Sequence, residues 1–97
     1  MTNFIELAQS LQPELVRLRR TLHADPEVGL DLFRTQRRVM EALDGLGLQI
    51  TTGTKTTSVT AVLRGGHPGP VVLLRGDMDA LPVTELTGLD FASTNGA

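Results

Sequence analysis

Pro70-Val71-Val72-Leu73-Leu74-Arg75-Gly76-Asp77-Met78-Asp79 is the stretch on which the reading of the fold turns. Its first five residues are apolar at both parities, the pattern of a strand covered on both faces, as the central strand of an α/β sheet is. In an extended strand residues two apart share a face, so Val71, Leu73, Arg75, Asp77 and Asp79 form one side that turns from apolar to charged at its carboxyl end. Ligands of open α/β sheets bind just beyond that end. Two carboxylates about 7 Å apart on one face repel unless a cation stands nearby. Either Arg75 or a bound metal could supply that charge, so the residues alone leave two readings open. One is a functional site at Asp77 and Asp79; the other is an Arg75 to Asp77 ion pair with Asp79 capping the next turn.

Upstream, the pattern is helical. Phe4, Leu7, Leu11, Leu15, Leu18 and Leu22 recur at steps of three and four and fall on one stripe of a helix. Asn3 and Glu6 have capping-box spacing. Pro13 lies opposite the stripe, so the segment is either one helix kinked there or two helices broken near Ser10, ending in both cases near His23 before Ala24-Asp25-Pro26. His23 would then bond a carbonyl at the helix terminus. A second helix is predicted from about Asp31 to Leu46, with Leu32, Gln36, Val39, Leu43 and Leu46 on one face and Gly45 and Gly47 as its stop. Leu48 to Thr52 and Ser58 to Arg64 read as strands, and His67 sits in the turn Gly65 to Gly69. The fold class expected is α/β: two N-terminal helices packed on a small mixed sheet.

Composition excludes several functions. With 97 residues the chain holds one small domain. Nine Lys and Arg against eleven Asp and Glu leave no surplus positive charge for nucleic acid. Arg17, Arg19, Arg20, Arg34, Arg37 and Arg38 share the first 47 residues with seven acids and read as a solvated helical surface, with a phosphate or partner patch as the alternative. The absence of cysteine removes disulfides, thiolate metal sites and a cysteine nucleophile. No window approaches the length of a membrane span, and the N-terminus lacks a signal-peptide pattern, so the expected setting is cytoplasmic.

The run Arg19-Arg20-Thr21-Leu22-His23-Ala24-Asp25-Pro26-Glu27-Val28-Gly29, followed by Thr35, Leu74 to Pro82 and Glu85, resembles the opening of the metal-dependent amidohydrolases. These are the hippurate hydrolases and N-acyl-amino-acid amidohydrolases among the carboxypeptidase-G-like metallopeptidases. The resemblance covers essentially all 97 residues. Asp31 stands where the family usually has Glu, and Ser58 where a Gly is common.

The resemblance implies that residues 1–97 are the N-terminal portion of a catalytic domain that cleaves the amide bond of N-acyl or N-aroyl amino acids. It implies a pair of divalent ions (manganese, zinc, nickel or cobalt) in the full-length enzyme. In the family, the segment matching Thr94-Asn95-Gly96-Ala97 leads into His-Ala-Cys-Gly-His-Asp, whose Cys and His bind metal, and further ligands and a glutamate base follow. No metal ligand is therefore assigned here, and this stretch alone is expected neither to bind the ions nor to turn over.

Related branches carry His-x-Asp where Asp77-x-Asp79 stands, the His binding metal and the Asp orienting it. Carried over, Asp79 is the candidate carboxylate that orients a ligand, and Asp77 a weaker catalytic candidate that replaces the ligand His. A non-catalytic α/β binding module presenting Arg75, Asp77 and Asp79, or the product of a decayed gene, are the alternatives. A piece of sheet with uncovered faces is expected to be marginal and association-prone.

Overall fold

The computed structural model describes residues 3–94. Helix α1 (Phe4–Ala24) is continuous through Pro13. Asn3 caps it, its side-chain oxygen accepting the amides of Ile5 (3.1 Å) and Glu6 (3.2 Å). This is the cap expected from the sequence. Of the two alternatives at Pro13, one unbroken helix is found. One turn earlier, the Ser10 hydroxyl donates to the Leu7 carbonyl at 2.6 Å.

Helix α2 (Phe33–Leu43) starts later and stops sooner than the apolar spacing suggested. Leu32 holds its N-cap position with non-helical backbone (φ −115°, ψ 55°), and its amide is bonded to the Thr57 hydroxyl, so the helix starts after it and not at Asp31. Beyond Leu43 the chain turns through Gly45 and Gly47, which adopt φ of 79° and 72°, a region that favours glycine.

Strands β1 (Gln49–Thr52) and β2 (Val59–Val62) form an antiparallel hairpin in which Gln49 faces Val62 and Thr52 faces Val59. The Gly53 amide donates to the Ser58 carbonyl at 3.1 Å and closes it. α1 packs on α2, and α2 packs on β2. The α/β class holds, but the sheet has two antiparallel strands rather than a mixed set.

The difference lies in the decisive stretch. Residues 70–80 form no strand, and Val71, Val72, Leu73 and Leu74 are 82–94% exposed rather than covered on both faces. A strand needs a neighbour for its ladder, and among the described residues no strand is paired with this segment. The leucine stripe of α1 is likewise open, with Phe4, Leu7, Leu11 and Leu15 more than half exposed.

Leu32 is the one buried hydrophobic residue among those described, joined in burial by three polar groups, Glu27, Thr35 and Thr57. Total surface is 8321 Å², against roughly 5,400 Å² for a folded monomer of this mass. The radius of gyration is 16.0 Å, where a compact chain of this length has about 13 Å.

What order the middle of the chain has comes from polar clamps. The Thr57 hydroxyl accepts the Leu32 amide (2.7 Å) and donates to the Leu30 carbonyl (2.8 Å), fixing the hairpin to the entrance of α2. Thr57→Val keeps the shape but leaves the buried Leu32 amide without its partner, and should cost about 1–3 kcal/mol. Urea unfolding followed by far-UV circular dichroism checks this, with Thr57→Ser expected to stay close to the parent.

Candidate functional site

A cleft of about 850 Å³ opens between the helices, β2 and the segment that follows it. Leu22, Val39, Leu43, Val59, Ala61 and Leu74 supply apolar walls, and His23, Asp77, Asp79 and Glu85 stand along it. Both carboxylates singled out in the sequence therefore reach one cavity. Asp77 is paired with Arg75, Nη2 to Oδ1 at 3.2 Å, on well-exposed side chains. An ion pair that exposed contributes little to stability. Asp79 is exposed and makes no hydrogen bond among the described residues, so it does not cap the following turn. His67 is exposed in its loop, as read.

The loop between the helices positions one side of the cleft. Glu27 is buried, and its Oε1 accepts the Thr35 amide at 2.6 Å while Oε2 accepts the Arg34 amide at 3.4 Å. It thereby supplies the cap that Leu32 cannot, and places a negative charge where the helix dipole favours it. Burial pushes the Glu27 carboxyl up, but the amide and hydroxyl of Thr35, the Arg34 amide and the Arg34 charge together hold it below its ordinary value. The Glu27 carbonyl accepts the Ala80 amide at 2.8 Å, which ties the residue after Asp79 to the same loop.

Asp25 accepts two bonds from Arg34 (2.9 and 3.1 Å) and one from Arg38 (2.7 Å). Hydrogen bonds from these guanidinium groups, Arg34 first, lower its carboxyl below the ordinary value. Two of the six arginines read as solvated surface are thus engaged by Asp25.

The other side is built around Glu85. Its carboxylate accepts from the Thr87 hydroxyl, from the Ser93 amide at 2.9 Å and from His23 Nε2 at 2.6 Å. In that order these bonds bring its carboxyl down to about 2. His23 therefore reaches across to a residue 62 positions away instead of capping its own helix, since a carboxylate is a stronger acceptor than a terminal carbonyl. The end of α1 is closed by Thr94, whose amide and hydroxyl donate to the Ala24 carbonyl at 3.0 and 3.2 Å. Phe91 meets His23 edge-on at 6.0 Å and lies 4.3 Å under the Arg20 guanidinium.

No group of three or more His, Cys, Asp or Glu side chains able to hold a metal ion occurs among the described residues. No helix is long and apolar enough to cross a membrane among the described residues.

No protein-family model and no solved structure matches the sequence. Curated proteins do. The chain is 42% identical over 90 residues to an N-acyl-L-amino acid amidohydrolase of Geobacillus stearothermophilus, covering 92% of this chain and 24% of that protein. It is 39% identical over 85 residues to an N-acetyldiaminopimelate deacetylase of Streptococcus sanguinis, covering 84% of this chain and 22% of that protein. Over 86 residues it is 38% identical to thermostable carboxypeptidase 1 of Saccharolobus solfataricus, covering 88% of this chain and 22% of that protein. The chain thus spans between a fifth and a quarter of the length of these relatives.

Asp25, Glu27 and Glu85 each hold a proton more weakly in the folded chain than in the unfolded one, so their stabilisation is complete above the ordinary carboxylate range and is lost on acidification. For Glu85 the loss runs from its ordinary 4.5 down to about 2. Denaturant unfolding measured at a series of pH values should show stability falling through this window, and Glu85→Gln should flatten the fall. An unchanged slope in that variant would contradict the assignment.

Proposed function

We propose that the chain, similar over 84–92% of its length to the relatives named above, forms the opening of the catalytic domain of a longer metal-dependent hydrolase of N-acyl or N-aroyl amino acids. The observation that carries the reading is the identity of 38–42% to these relatives, over 84–92% of this chain.

Hydrolysis of an amide near neutral pH needs a strengthened water nucleophile and a polarised carbonyl, which a pair of divalent ions supplies. The ligands and the general base belong, in this reading, to parts of the longer protein outside these 97 residues, and this stretch by itself is inactive. Its own contribution is twofold. The apolar side chains of the cleft form one wall of the domain. Asp79, held next to the Glu27 tie through Ala80, provides a carboxylate that orients a ligand side chain and raises its basicity. Asp77 stays with Arg75 and is not given a ligand role.

Reading the coding DNA past the codon for Ala97 tests the premise. The reading expects codons for His-Ala-Cys-Gly-His-Asp close by, and an ordinary stop with no remnant of them would favour a free-standing binding module. In the longer protein Asp79→Asn should weaken metal affinity about 10- to 100-fold, measured by competition with a chromophoric chelator. Turnover of hippurate by the purified 97-residue chain with manganese would overturn the assignment of inactivity.

A further inference from the structure

Residues 80–94 return to the first third of the chain at three places. The Ala80 amide bonds the Glu27 carbonyl, the Glu85 side chain bonds His23, and Thr94 bonds the Ala24 carbonyl. The middle tie differs from the other two in kind. One side chain, with 12% of its surface exposed, accepts from three donors contributed by α1, by Thr87 and by the backbone of Ser93. An ionised carboxylate has about four acceptor sites in two oxygens, so a single group both closes the 85–93 loop and fastens it to α1. Phe91 and Arg20 pack beside that junction.

Asp77 and Asp79 have no comparable support. Their stretch lies in neither helix nor strand, and its one ion pair, Arg75 to Asp77, is solvent-exposed. The nearest fixed points after Asp79 are Ala80 and Glu85. A hydrogen bond between two backbone groups at Ala80 holds one point but leaves the chain free to pivot about it. A second attachment five residues on removes that freedom.

We infer that Glu85 is a positioning residue: by its bond to His23 it holds the Asp77–Ala80 stretch against the end of α1 and so sets where the Asp79 carboxylate stands on the cleft. The functional meaning of that placement rests on the reading of Asp79 given above, while the placement itself does not. The charge of Glu85 adds to each of its bonds, because hydrogen bonds to an ionised acceptor are shorter and stronger than neutral ones.

Backbone order parameters from ¹⁵N relaxation of the 97-residue chain test this. In the parent chain, Asp77–Ala80 should show values near the roughly 0.85 of rigid backbone, and in Glu85→Ala they should fall below about 0.6. The amides of Leu15 and Leu18 should not move. Glu85→Gln, which keeps an oxygen acceptor, should restore at least half of the lost order, a recovery that a general loss of stability would not give. Thr87→Val removes one of the three donors and should loosen the stretch partially; if Glu85→Ala does not fold, this variant decides the matter.

Unchanged order at Asp77–Ala80, low order already in the parent, no recovery in Glu85→Gln, or an equal loss throughout α1 would each overturn the inference. Loosening by Glu85→Ala together with unchanged metal affinity of Asp79→Asn in the longer protein would sink the functional reading alone and leave the positioning role standing.

Discussion

A buried carboxylate at the mouth of a helix is the constraint on which the described structure hangs. α2 begins at Phe33 behind Leu32, a residue with no oxygen or nitrogen in its side chain to receive the first amides of the helix. Unmet amides in a buried place carry a large cost. Glu27, six positions before the helix, meets two of them at once, and the backbone of the same residue receives the Ala80 amide. One residue therefore starts a helix with its side chain and anchors the far half of the chain with its main chain. Asp25, two positions earlier, extends the arrangement by gathering Arg34 and Arg38, one turn apart on α2.

Polar clamps dominate because apolar burial is scarce. The surface exceeds that of an ordinary monomer of this mass by about half, and a single hydrophobic side chain is buried among the described residues. Apolar burial is the main driving force of folding, at roughly 25 cal/mol per Å², so a chain that leaves the α1 stripe and Val71–Leu74 in water has little of it to draw on. Under the proposed function these open faces are where the remainder of a larger domain packs, and the cleft is part of a wall rather than a finished pocket.

Much of the local structure was legible because its causes are local. The spacing of Phe4 through Leu22, the Asn3 cap and the two glycines after α2 act within a few residues, and they appear where the pattern placed them. The hairpin was legible too, each strand shorter by one to three residues at the ends. The failure at Val71–Leu74 has a different source. Apolar residues at both parities report that a segment is suited to burial on two faces, and whether a partner stands there is a fact about other chain segments.

The same distinction separates the site residues. Asp77 and Asp79 were found by alternation along one segment, whereas the bond from His23 to Glu85 joins residues 62 apart and leaves no periodic trace. Glu27 left no such trace either: the spacing put the start of the second helix at Asp31, and only the structure shows leucine at its cap position and hence the need for an acceptor from outside. The family resemblance had placed both Glu27 and Glu85 among its matching residues without giving either a role.

The central claim is that residues 80–94 are fastened to the first helix and the loop after it by hydrogen bonds rather than by a hydrophobic core. Amide hydrogen exchange of the unmodified chain tests it most directly, read at Thr35, Ala80, Ser93 and Thr94, whose amides bond Glu27, Glu27, Glu85 and Ala24. The account predicts protection at all four positions, comparable to the interior of α1. Exchange of Ala80, Ser93 and Thr94 at the rate of an unfolded chain, with α1 still protected, would contradict it.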